Sequence, residues 1–236
     1  MYAIIGPMRS GTTLLYRTIK DLSVDYDSKL QDEFFQTFLN NFYVYDTGNG
    51  LYQTVGYFKN QKEEIDRRLS LLKKYNYKYT IKCLPQHLSQ PVTDMIFENY
   101  DIIICERKNT WERFISFCLA CTTFVFNRTK KYKPYASPVK VARQTVDDFF
   151  DLERIWKDKK ELIASKKKYS HIFYEDLIEN PRLTIESETS LTWRGNTEFF
   201  EPIYKLYNNI KKESLISNLD EVKEWYNARS NRVVLG

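Results

Sequence analysis

The chain has 236 residues, with 36 Lys and Arg against 31 Asp and Glu for a net charge of +5, and it is 42% hydrophobic and 16% aromatic. Its 18 tyrosines and 15 phenylalanines exclude an intrinsically disordered chain, and the length suits a single α/β domain, residues 1–236, with a sizeable core. The small basic excess, interspersed with acids, argues against a nucleic-acid coat but suits an anionic ligand.

No apolar run approaches the roughly 18 residues of a membrane span. The N-terminus opens on Tyr2-Ala3-Ile4-Ile5 without the basic, apolar and small-residue succession of a signal peptide. The expectation is a cytoplasmic chain with no membrane span. Cys83 and Cys105 fall in apolar strand-like runs and Cys118 and Cys121 in a helical pattern, which suits reduced, buried thiols. The C-x-x-C of Cys118 and Cys121 has only His87 and His171 to complete a zinc site, so no metal is expected.

In chain order, residues 2–6 read as a buried strand, followed by Gly6-Pro7-Met8-Arg9-Ser10-Gly11-Thr12-Thr13 and a helix from Leu14. Strand, glycine loop and helix make an anion cradle. The G-x-x-x-x-G spacing of Gly6 and Gly11 turns backbone N–H groups inward, and the helix directs its positive end at the same place. A nucleoside-triphosphate loop would continue with Lys and then Ser or Thr, the Lys for the terminal phosphates and the hydroxyl for Mg²⁺. Here those positions are Thr12 and Thr13, and the cation has moved inside the loop, to Arg9.

Further along, Asp32 and Glu33 precede a periodic apolar run at Phe34, Phe35, Phe38 and Leu39, and residues 62–74 carry Ile65, Leu69 and Leu72 at helical spacing. Residues 79–84 read as a strand containing Lys82, costly among apolar neighbours unless something anionic or carbonyl-like meets it, with His87 just beyond. Strand 101–106 delivers Arg107 at its end, and the helix predicted over 109–124 carries Ser116 and Arg113. Residues 127–138 read as a basic, tyrosine-bearing loop, 146–164 as a helix and 169–174 as a strand. Beyond residue 184 the pattern is less regular until two amphipathic helices over 203–210 and 219–226. Four buried strands separated by helical stretches predict a parallel sheet wrapped by helices.

The run Arg9-Ser10-Gly11-Thr12-Thr13 resembles the 5′-phosphosulfate loop of sulfotransferases that use 3′-phosphoadenosine 5′-phosphosulfate (PAPS), in which a basic residue precedes S-G-T-T. Arg107 and Ser116 are similar to the arginine and serine with which that family holds the 3′-phosphate, although their separation is one residue longer than the commonest spacing. Glu33-Phe34-Phe35 resembles the E-[FY]-F segment of the bacterial trehalose-type members, and Tyr174-Glu175-Asp176-Leu177 the family's Y-E-D-L segment.

The resemblance implies a P-loop NTPase-like three-layer fold with a central, mostly parallel sheet and helices on both faces. It also implies sulfuryl transfer from PAPS to a hydroxyl, on a carbohydrate or other small molecule, without a metal. In that reading Arg9, Ser10, Gly11, Thr12, Thr13, Arg107 and Ser116 bind the donor. Arg9 steadies the leaving oxygen, Glu33 takes the acceptor proton, and Lys82 and His87 stand behind as further catalytic candidates, His87 as the competing base. A nucleotide kinase and a non-catalytic nucleotide-binding protein on the same fold are the alternatives.

Overall fold

The computed structural model describes residues 1–22, 34–35, 43–46, 51–54, 60–123, 137–193 and 212–234. The chain forms two compact units, Met1–Glu106 with Ile155–Gly195, and Arg107–Arg154 with Asn196–Gly236. Each unit has its own apolar cluster.

The first unit is built on a four-stranded, all-parallel sheet. Its strands are β1 (Tyr2–Ile5), β4 (Ile81–Cys83), β5 (Asp101–Glu106) and β6 (Tyr169–Phe173), in the order β4-β1-β5-β6. Registers such as Ile4 opposite Lys82, Ile4 opposite Ile103 and Cys105 opposite Ile172 hold it together. All four strands match the sequence expectation, because continuous β-branched runs are what a sheet covered on both faces selects.

Side chains alternate across a strand. Ala3, Ile5, Ile81, Cys83, Ile102 and Ile104 therefore share one face, where they join the core cluster formed with α2 (Gln61–Lys74), α3 (Gln90–Asn99) and the part of α5 (Arg143–Lys166) that bears Trp156 and Ile163. Lys82 points to the opposite face, and there it meets the start of α1 (Thr12–Leu22). Helices thus lie on both faces.

α2 starts where Asn60, in an extended conformation, accepts hydrogen bonds from the Lys62 and Glu63 N–H groups. Glu63 and Glu64 in its first turn and Lys73 and Lys74 in its last complement the helix dipole. α3 begins after Ser89 with Pro91 in its first turn. After β6 follow α6 (Tyr174–Glu179) and α7 (Pro181–Glu188), the second capped by Asn180, whose side chain accepts from the Leu183 N–H at 3.1 Å. A separate antiparallel hairpin pairs β2 (Tyr43–Asp46) with β3 (Leu51–Thr54). Phe38 and Leu39 of the apolar run after Glu33, the expected helix over 203–210 and most of the loop over 127–138 lie outside the described residues.

The second unit contains α4 (Thr110–Thr123), the first half of α5 and α8 (Leu219–Val234), which extends well past the predicted 219–226. Trp111 and Phe114 of α4, Phe149 and Phe150 of α5 and Tyr226 of α8 pack ring on ring, with centroids 4.6–5.6 Å apart in neighbouring pairs. The Arg113 guanidinium lies 5.1 Å from the Phe149 ring and bonds both oxygens of Glu153. Asn218 bonds both the N–H and the carbonyl of Val141. Cys118 is buried in α4, where burial pushes its thiol up to about 12, and Cys121 lies a turn further on, half-buried. Among the described residues no helix is long and apolar enough to cross a membrane, and no group of three or more His, Cys, Asp or Glu is placed to hold a metal.

Candidate functional site

Strand order fixes where a ligand would sit. The chain goes from β1 outward to β4, then crosses back over β1 to β5 and continues to β6, so the direction reverses between β1 and β5. In open parallel sheets the crevice beyond the carboxyl ends of the strands at such a reversal is the usual binding place. The loop of residues 6–11 leaves β1 there.

That loop is tightly built. A Cβ on Gly6 would stand 2.1 Å from the Cys105 carbonyl oxygen of β5, so the loop must turn with its first glycine pressed on the neighbouring strand. Gly11 has φ +88, and a Cβ there would lie 2.3 Å from the Tyr174 ring. Both glycines are therefore demanded by packing, before any ligand is considered. Ser10 is fully buried. Its hydroxyl donates to the Pro7 carbonyl at 2.7 Å, and its own carbonyl accepts from the Cys105 thiol at 3.2 Å. Ser10, expected as a donor contact, is thus occupied as a brace inside the loop, and Thr12 is buried beside it.

Met8, Arg9, Gly11 and Thr13 are the partly exposed members. Arg9 adopts φ 66, a left-handed conformation that non-glycine residues rarely take and that clusters at functional sites. α1 opens at Thr12 with the Leu15 N–H already bonded to the Gly11 carbonyl at 3.1 Å. The N–H groups of a helix's first turn have no partner within the helix, so this end is electropositive.

Lys82 completes the site from the adjacent strand. Its side chain is 1% exposed, and its Nζ donates to Thr13 Oγ1 at 2.7 Å. A buried ammonium is expensive unless it is met by polar groups, and this one is delivered to the first turn of α1. Where the sequence leads one to expect an anionic or carbonyl-like partner for Lys82, the bond seen goes to the hydroxyl of the loop's own Thr13.

His87 follows in the 3₁₀ turn Pro85–His87 and is 5% exposed. Its Nδ1 accepts the Leu84 N–H at 3.3 Å, which leaves the proton of the neutral ring on Nε2. Burial, with Lys82 and Arg68 nearby, pushes its pKa down to about 3. A ring so hard to protonate is a poor general base near neutrality.

Glu33, the expected base, lies outside the described residues, but Phe34 and Phe35 directly after it are 3% and 1% exposed and meet edge to face at 5.0 Å. Arg68 of α2, fully buried, donates through Nε to Glu64 at 2.7 Å and through Nη1 to the Phe34 carbonyl. Sequence reading missed this arginine because its partner at Phe34 is set by tertiary packing, which helical periodicity does not encode.

At the end of β5, Glu106 was also missed. Its carboxylate accepts from Trp156 Nε1 at 2.6 Å and Lys160 Nζ at 2.5 Å, with His171 Nε2 2.7 Å away. Burial alone would raise its pKa, yet the bonds from Lys160 and Trp156 hold it below the usual carboxylate range. Arg107 follows it directly. In the second unit Arg107 is half-buried ahead of α4, and Ser116 is 7% exposed in the second turn of that helix, beside the Glu153-bound Arg113.

No protein-family model matches the chain, and none of the curated proteins matches it.

Proposed function

We propose that the chain is a PAPS-dependent sulfotransferase on a P-loop-type three-layer α/β fold. The observation that carries this reading is the 2.7 Å bond from Lys82 Nζ to Thr13 Oγ1. Thr13 stands two places after Gly11, where a magnesium-dependent nucleoside-triphosphate loop keeps the hydroxyl that binds Mg²⁺. An ammonium against that hydroxyl opposes a divalent cation at the same oxygen by like-charge repulsion. A strand–loop–helix cradle with its cations at Arg9 and Lys82 suits an anion that arrives without a metal.

In this reading the α1 N–H groups and Lys82 hold the 5′-phosphosulfate, and Arg9 meets the charge that gathers on the bridging oxygen as the S–O bond breaks. That interaction strengthens toward the transition state. The acceptor oxygen forms the new S–O bond, Glu33 takes its proton, and the electron pair of the broken bond leaves with adenosine 3′,5′-bisphosphate. Arg107 and Ser116 are assigned to the 3′-phosphate by resemblance. The acceptor is a carbohydrate or small-molecule hydroxyl. Lys82 serves as a fixed cation, and the burial of His87 favours Glu33 over it as base.

The test is thermal unfolding with adenosine 3′,5′-bisphosphate and, separately, with ADP and Mg²⁺. A ligand at 100 times its dissociation constant adds about 2.7 kcal/mol, a readable shift. Stabilisation by the bisphosphate alone, lost in Arg107→Ala, is expected. Stabilisation by Mg-ADP alone assigns the protein to the kinases, and bisphosphate binding without transfer to any acceptor hydroxyl favours a non-catalytic nucleotide-binding protein.

A further inference from the structure

The second glycine of the loop is held by a side chain from the far edge of the described sheet. Tyr174 is the first residue after β6 and opens α6. Its ring presses on Gly11 so closely that a Cβ there would meet Cδ2 at 2.3 Å, Cγ at 3.1 Å and Cε2 at 3.2 Å. Gly11 is also the residue whose carbonyl accepts the first hydrogen bond of α1 and whose φ of +88 turns the chain from loop into helix. A rigid ring edge beside a left-handed glycine limits where that peptide can move. On the other side of the loop, Gly6 is pressed on the Cys105 carbonyl and Ser10 is bonded to Pro7 and Cys105. Clamped at both glycines, the loop presents its N–H groups already in place.

We propose that Tyr174 is a positioning residue for anion binding, acting through the Cδ2 edge of its ring on Gly11 rather than through contact with the anion. The inference rests on the reading of residues 6–13 as an anion site. A preorganised cradle binds more tightly because its ordering cost is met in folding. Releasing about one residue's backbone costs on the order of tenfold in affinity.

The experiment measures pyrophosphate, which has no nucleoside to touch the ring, and adenosine 3′,5′-bisphosphate by calorimetry on the full chain. Wild type, Tyr174→Phe and Tyr174→Ala are compared. The expected result is wild-type affinity in Tyr174→Phe and a loss of about tenfold for both ligands in Tyr174→Ala. Loss for the bisphosphate with pyrophosphate unchanged would show the ring serving the nucleoside and overturn the proposal, as would loss in Tyr174→Phe. Failure of wild type to bind either ligand would instead overturn the anion-site reading itself.

Should Tyr174→Ala prove too unstable to titrate, the contact is read from unfolding of Gly11→Ala. That substitution is expected to destabilise the wild-type background more than the Tyr174→Ala background, and equal losses in the two would remove the ring from the account.

Discussion

At the scale of the residue, burial sets the protonation of His87. His87 is enclosed, with Lys82 and Arg68 both adding positive charge and the Leu84 N–H fixing its Nδ1 as an acceptor, so its pKa falls to about 3. The unfolded chain binds a proton at this histidine near its ordinary value of about 6.5, whereas the folded chain does not until far lower pH. Stability from this group is therefore complete above the unfolded value and is lost as pH falls toward the folded one. The loss approaches about 1.4 kcal/mol per pH unit. In His87→Gln, whose amide oxygen can still accept the Leu84 N–H, urea unfolding between pH 7 and about pH 4 is expected to show a shallower decline than wild type. Equal declines would mean that His87 titrates normally in the folded protein.

Elements explain why the site's frame was legible in the sequence and its supports were not. β1, β4, β5 and β6 announce themselves as β-branched runs, and the Gly6 and Gly11 spacing locates the loop, because both signals are local. Arg68 on the Phe34 carbonyl, Tyr174 on Gly11 and Glu106 under Trp156 and Lys160 join residues tens to more than a hundred positions apart, and no local periodicity encodes such meetings. The hairpin of β2 and β3 was missed although Gly48-Asn49-Gly50 between its strands is a turn signal. Sequence logic also assigned the two glycines to the ligand, when packing already requires them. Gly6→Ala tests that point at the junction of β1 with β5. Its Cβ would meet a backbone carbonyl at 2.1 Å, which cannot rotate aside. Strain of this kind costs about 1–3 kcal/mol, and the variant is expected to unfold at lower temperature even with no ligand present. An unchanged midpoint would return Gly6 to a purely ligand-facing role.

At the scale of the molecule, an anion cradle works only if its floor stays still. The floor is β1 with β5: Ala3, Ile4, Ile103, Ile104 and Cys105 are fully buried, Ile5 nearly so, and each strand is bonded to a parallel neighbour on either side. Hydrogen bonds buried on both faces of a sheet open only when the unit unfolds as a whole, whereas short surface helices open locally. α6 and α7 are six and eight residues long, with Leu177 and Ile185 as their buried anchors. Amide exchange should therefore be slowest at residues 3–5 and 102–105 and markedly faster along α7. Adenosine 3′,5′-bisphosphate is then expected to slow exchange at residues 11–14, where the first-turn N–H groups of α1 gain a partner. The ranking within the floor should stay unchanged. Fast exchange in β1 without ligand, followed by protection with it, would mean that the cradle is assembled by the anion, and the preorganisation argued from Gly6, Gly11 and Tyr174 would fall with it.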